Sequence, residues 1–258
     1  MNLFISKEGK KVSPLAAALN IVVVCAAVVL VFWASLAVIG IKFDFGFLSY
    51  YRNWVFRGLK NTVFVSFFSL IFSLLVGILS AAGASSRVLV LRYLCRGYVT
   101  VIRGTPLIMQ IYLFYYIVGT AWGIESRFAS GVIILSVFEG AYISEIIRGS
   151  YLSIDETQLE AARAVGFNRR QTLRHVILPQ MVARTIPALA GQFASIIKDS
   201  SLLSIIAVVE LSQTFHEIST STFHLFESYL VLGGLYLCLT LPITFISKRL
   251  ERRFYYEN

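Results

Sequence analysis

DETQLEAARAVGFNRRQTLRHVILP, residues 155–179, is the one long polar segment in a chain that is otherwise mostly apolar. Arg163, Arg169, Arg170 and Arg174 outweigh Asp155, Glu156 and Glu160. The pattern predicts two short helices and a turn. Ser153 is placed to cap the first, with Glu156 three residues on completing a capping box. Gly166 ends it, because glycine takes the left-handed conformation without a Cβ clash. Asn168 is placed to cap the second with Gln171, and Pro179 to limit it.

The rest of the chain sets this segment in a membrane. It has 258 residues, 57% of them hydrophobic and 14% charged, against about 45–50% and about 25% in ordinary soluble domains. A net charge of +9 raises nucleic acid as a partner, but the basic residues sit in short loops between apolar runs, so none is expected. Cys25, Cys95 and Cys238 lie in or beside apolar segments and suit packing rather than a disulfide framework. The three histidines show no metal-ligand spacing.

Six spans are expected, each near the ~20 residues that cross ~30 Å of hydrocarbon. They are residues 15–41, 61–86, 98–120, 128–148, 185–209 and 228–247. The first has 27 residues without charge, too long for a signal-peptide core, and is read as uncleaved. Residues 42–60 mix aromatic and basic side chains and suit a helix lying in the interface. In the second span Ser66, Ser69, Ser73, Gly77, Ser80 and Ala84 form a small-residue stripe for close helix packing. Gly104 and Pro106 should distort the third. Residues 210–227 read as a polar loop. Of the 23 Lys and Arg, 16 fall on the side of the 155–179 segment, five on the other and two within spans. That bias puts the segment and both termini in the cytoplasm.

The segment resembles the EAA loop of ABC-importer membrane subunits, whose pattern is EAA, three residues, Gly, nine residues, Ile-x-Leu-Pro. Here it reads Glu160-Ala161-Ala162, Gly166, then Val176-Ile177-Leu178-Pro179, with Val176 in place of Ile. RGTPL at 103–107, GAYISEIIRG at 140–149, KDSSL at 198–202 and LERRF at 250–254 resemble the polar-amino-acid branch of these permeases. The resemblance implies an all-α integral membrane protein with a five-helix importer core and one additional N-terminal helix. Its divisions would be a cytoplasmic head (1–14), the first span and interfacial segment (15–60), the transmembrane domain (61–248, coupling loop 153–180) and a tail (249–258).

It further implies an importer subunit in a bacterial cytoplasmic membrane, moving polar amino acids by alternating access. Two ABC ATPases would dock on the coupling loop through Glu160, Ala161, Ala162, Gly166, Leu178 and Pro179. A second permease copy or paralogue completes the pathway, and an extracytoplasmic binding protein delivers the amino acid. The chain has no GxxxxGK[ST] loop, so ATP and Mg would belong to the partner subunit, and no cofactor or enzymatic site is expected in this one.

Ionisable groups inside spans are costly and become functional candidates. Glu139 either receives a substrate ammonium or a cationic side chain, pairs with Lys198, or is held protonated. Asp199, Ser200 and Ser201 either cap a half-helix whose N–H groups take a carboxylate, with Lys198 helping, or form a kink without a ligand. Arg103, Thr105 and Pro106 suit a gate, as do Glu145 and Arg148, which are spaced to pair on one helix face. The alternative to the ATP-driven importer is an ion-gradient-driven secondary transporter using Glu139, Glu145 and Asp199 for protons; no inverted repeat supports it.

Overall fold

The computed structural model describes residues 13–40 and 43–255, and these are helical apart from their connections. The cytoplasmic head expected over 1–14 lies largely outside the described residues, as do Ile41, Lys42 and the last three residues of the tail. The chain divides into two units, Met1–Asp44 and Phe45–Asn258. Among the described residues the first holds one helix, α1 (Pro14–Ile39), with Ser13 accepting from the Ala16 N–H at its start and Gly40 at φ 73° closing its end.

The second unit starts with α2 (Phe47–Ala84), 38 residues without a break at Lys60. The expected interfacial helix over 42–60 is therefore the first part of α2, since no proline or glycine pair interrupts its hydrogen-bond ladder. Along α2 the usual polarity of a surface helix is inverted. Ser66, Ser69, Ser73, Gly77 and Ser80 are buried, while Phe67, Phe72, Leu75 and Leu79 are exposed. A helix solvated by lipid gains nothing by hiding phenylalanine and gains close packing by facing small residues inward.

The partner on that inner face is α5 (Arg127–Leu152). A Cβ on Gly77 would stand 2.5 Å from Ile143 Cγ2, and one on Gly140 would stand 2.7 Å from Val76 Cγ1. The two backbones thus approach through reciprocal glycines. Ser136 Oγ donates to Val132 O at 2.6 Å, within its own helix, so the hydroxyl is not left bare in the interface.

α3 (Leu89–Gly104) packs beside them, with Cys95 Sγ occupying the space above Gly83. The chain then turns by 113° into α4 (Leu107–Tyr112), which continues as a π-helix over Leu113–Gly119. The distortion expected at Gly104 and Pro106 is a full break, and the helix before it begins at Leu89, so Arg92 and Arg96 lie on a helix rather than in a loop. Pro106 has no N–H to continue the ladder and forces Thr105 into extended backbone (φ −125°, ψ 149°). The carbonyls left open are taken by side chains. Gln110 Nε2 donates to Ile102 O at 2.8 Å and Thr105 Oγ1 donates to Val101 O at 2.8 Å.

After α5 come α6 (Glu156–Ala164), α7 (Arg169–Thr172) with a π-turn over Leu173–Ile177, and α8 (Leu178–Asp199). Pro179 does not end a helix. The π-turn carries the Leu178 N–H back to Leu173 O, and this wider turn lets Pro179 sit at the start of α8, where its missing N–H costs little. A 3₁₀ turn (Ser200–Ile206), α9 (Leu211–Thr222) and α10 (Leu225–Tyr255) complete the chain. The polar loop expected over 210–227 is mostly α9. Among the described residues four helices are long and apolar enough to cross a membrane, or five with the bent pair. α8, where a fifth span was expected, has the length but carries Arg184, Gln192, Lys198 and Asp199.

Glu210 starts α9 by accepting the Ser212 and Gln213 N–H groups, each at 2.8 Å, and the Tyr236 hydroxyl of α10, also at 2.8 Å. Thr62 Oγ1 of α2 accepts the Leu211 N–H at 3.0 Å. This node, in which Thr62, Glu210 and Leu211 are fully buried, joins three helices.

Replacing Gly77 by leucine should cost about 1–3 kcal/mol by overpacking against Ile143. The thermal midpoint in detergent should fall, while Gly97→Ala, inside α3 with no atom within 4 Å, should hold or raise it, alanine being the better helix former. An equal midpoint for Gly77→Leu would refute the close approach.

Burial pushes the Glu210 carboxyl up to about 7, against its N–H and hydroxyl donors, which lower it. An acid raised on folding binds its proton more tightly in the folded chain. Its contribution is complete below the ordinary carboxyl range and is lost as pH rises through about 7. The thermal midpoint should therefore be higher at about pH 5 than at about pH 8, and Glu210→Gln should flatten that difference.

Candidate functional site

Three clusters hold the residues singled out in the sequence. The first is the polar segment. Asp155, not Ser153, caps α6, accepting the Thr157 N–H at 3.0 Å, and that bond holds the Asp155 carboxyl below the usual range. Ser153 instead closes α5, where its hydroxyl donates to Ser150 O at 2.8 Å, so the expected box with Glu156 does not form. Gly166 has φ 81°, and Asn168 and Gln171 form the expected reciprocal capping box. Glu160, Ala161 and Gly166 are exposed on one elbow, whereas Ala162 is buried. Leu178 and Pro179 are exposed at the start of α8. Val165 is 70% exposed and Leu173 45%, an unusual display of apolar surface on a polar loop.

This loop is tied to the helices at both ends. The Arg184 guanidinium of α8 donates to the Ser153 carbonyl at 2.5 Å and also to its hydroxyl. The Gln180 amide of α8 donates to Gln158 of α6. The sequence reading missed both ties, because they join residues 31 and 22 positions apart.

The second cluster surrounds Glu139, which is wholly buried midway along α5. The Gln192 amide of α8 donates to its Oε2. Its Oε1 is buried and receives no N–H among the described residues. The acidic group facing it is Asp199, at the end of α8. Lys198 is exposed and acts on Asp199 through its charge, so the expected Glu139–Lys198 pair is not formed. Asp199 caps nothing: Ser200 Oγ donates to Ile197 O and Ser204 Oγ to Ser201 O, so the expected half-helix anion cap is absent here. The chain passes instead into a 3₁₀ turn that keeps its N–H groups internally bonded. Gln192 went unrecognised in the sequence, although its seven-residue spacing from Asp199 places both on one helix face.

The third cluster lies near the end of α5 that leads into the polar segment. Glu145 and Arg148 pair as expected, Nε to Oε1 at 2.6 Å and the second guanidinium nitrogen to Oε2 at 2.8 Å. Arg103 of α3 joins them, 3.0 Å from Glu145 Oε2, with its guanidinium carbon 5.3 Å from the Tyr142 ring centre. Thr105 accepts from Gln110 at 2.8 Å and Pro106 starts α4, so both build the turn beside this cluster rather than touching Glu145. The cluster lines an open cavity of about 690 Å³.

A helical core with an exposed capped elbow at one end and buried carboxyls between its helices is the architecture of a transport subunit. Residues 73–255 match the family described as binding-protein-dependent transport system inner membrane component, and the chain belongs to that family. It is 35% identical over 200 residues to the glutamine transport system permease protein GlnP of Escherichia coli K12, covering 76% of this chain and 91% of that one. Against the L-cystine transport system permease protein TcyB of Bacillus subtilis it is 35% identical over 197 residues, 76% of this chain and 84% of the relative. Among solved structures, a chain of an amino acid ABC transporter crystallised with histidines superposes with a TM-score of 0.77 at 30% identity, covering 83% of this chain and all of that one. A chain of the inward-facing methionine transporter MetNI shares the fold at a TM-score of 0.66 and 19% identity, over 79% of this chain and 97% of its own. Nothing in these likenesses supports the ion-gradient alternative.

Substituting Arg184 by alanine should free the start of the loop from α8. Amide hydrogen exchange over residues 153–168 should then quicken by about tenfold, the worth of one net hydrogen bond of about 1.4 kcal/mol. Unchanged exchange would mean that Arg184 does not hold the loop.

Proposed function

We propose that this chain is the translocation subunit of an ATP-driven importer of polar amino acids, working by alternating access with both termini in the cytoplasm. The carrying observation is the elbow of residues 155–179. Its caps fix a rigid shape, and it presents Glu160, Ala161, Gly166, Val165 and Leu173 outward. Exposed apolar side chains set among charges suit docking into a groove on another protein. On this reading two ABC ATPases bind the elbows of two permease chains, either identical or paralogous. ATP and Mg sit in those ATPases, and a binding protein delivers cargo from the far side. The names of the relatives support amino acids as the cargo class.

Glu139, Asp199, Lys198 and Ser200 form the substrate pathway on this reading. A buried carboxyl whose Oε1 receives no N–H donor, with the Asp199 carboxyl beside it, suits a ligand that donates N–H bonds. The ammonium of an amino acid, or a cationic side chain, is such a donor. Arg103, Thr105, Pro106, Glu145 and Arg148 form the gate, in which the Arg103–Glu145 pair joins α3 to α5 and must break if those helices part.

The test is ATP hydrolysis and uptake in proteoliposomes holding this chain, a cognate ABC ATPase and a binding protein loaded in turn with arginine, glutamine or cystine. One loaded form should stimulate hydrolysis. Glu160→Lys should cut that stimulation at least tenfold while the complex still assembles, and Glu139→Gln should impair uptake most for a cationic cargo. Full stimulation by an assembled Glu160→Lys complex would sink the coupling role of the elbow. Uptake that follows a proton gradient without ATP would sink the importer reading itself.

A further inference from the structure

The cavity between α3 and α5 has more positive charge than its own pairing consumes. Arg96, Arg103 and Arg148 line it against one carboxylate, Glu145. Both oxygens of Glu145 are already engaged, Oε1 by Arg148 and Oε2 by Arg148 and Arg103. Arg148 uses its guanidinium edge on that one acid. Arg103 spends a single nitrogen there and keeps further N–H donors. Arg96 stands seven residues before Arg103, on the same face of α3, and makes no ion pair among the described residues. Thr100, between them, adds a hydroxyl to the wall, and Tyr142 holds the Arg103 plane over its ring. A cavity of about 690 Å³ is the size of a small-molecule site.

We infer that this cavity is an oxyanion site, in which Arg96 and the free edge of Arg103 grip the α-carboxylate of a free amino acid. Planar guanidiniums match a carboxylate in charge and in the spacing of their donors. The phosphate of an anionic phospholipid carries the same chemistry and is the second source of such an oxyanion. The site is distinct from the Glu139 cluster, where the two facing acidic groups are carboxyls, Glu139 and Asp199. It rests on the importer reading solely for the choice of amino acids as probes. An amino acid would meet carboxyls in one cluster and guanidiniums in the other, each suited to one of its two charges.

The test uses the full chain alone in phosphatidylcholine nanodiscs, with no ATPase or binding protein, so that failure of the importer reading leaves it readable. Equilibrium binding of labelled glutamine and arginine is compared with that of their α-carboxamides. The same measurements are made on Arg103→Gln and on Thr100→Asp, which places a carboxylate inside the cavity and leaves Arg103 and Glu145 intact. At least one free acid should bind, its carboxamide at least tenfold more weakly, and both variants should lose at least tenfold. A parallel arm uses mixed discs and counts phosphatidylglycerol retained on the purified chain. Retention by the wild type, lost in both variants and without amino acid binding, assigns the site to the headgroup phosphate. Equal binding and equal lipid retention by wild type and Thr100→Asp would overturn the oxyanion site.

Discussion

The approach of α2 to α5 through reciprocal glycines governs the rest of the molecule. Gly77 admits Ile143 and Gly140 admits Val76, with neither position able to hold a Cβ without displacing its neighbour. In lipid no hydrophobic force drives two apolar helices together, so contact area gained by close backbones has to do that work. The position of Glu139 follows directly. It precedes Gly140, and the close seam that Gly140 permits helps to seal the carboxyl from solvent.

A second rule runs through the broken helices. Wherever a helix stops inside the bundle, a nearby side chain takes over the abandoned backbone groups. Gln110 and Thr105 do so at the end of α3, and Glu210 at the start of α9. Unsatisfied backbone is tolerated poorly away from water. The sequence signs of a break, a proline or a glycine pair, therefore come with a polar residue about one turn away.

Much of this was legible in the sequence because it is local. Span-length apolar runs, the serine stripe of α2, the Gly166 elbow, the Asn168–Gln171 box and the Glu145–Arg148 pair all depend on spacing within one helix. What escaped depends on three-dimensional neighbours or on competition between neighbours in sequence. Ser153 and Asp155 both qualify as caps, and Ser153 was taken by the end of α5. Glu139 had three possible partners, and the turn of α8 presented Gln192 and Asp199 rather than Lys198. Pro179 reads as a stop by its missing N–H, but a π-turn just upstream removes the clash. That residues 47–60, within the expected 42–60 interfacial segment, belong to α2 was hidden by a change in composition that the backbone ignores.

The passage through Pro179 has a mechanical meaning. From Arg169 to Asp199 the chain is one unbroken helical rod of 31 residues, about 45 Å long at 1.5 Å per residue. Arg184 pins it to the end of α5 near its midpoint, and its far end carries Asp199 to Glu139. From that pin to Asp199 is about 22 Å, so a tilt of about 10° there would move Asp199 by about 4 Å. A displacement of that size exceeds the reach of a hydrogen bond, so any tilt of α8 about Arg184 bears directly on the contact between Asp199 and Glu139.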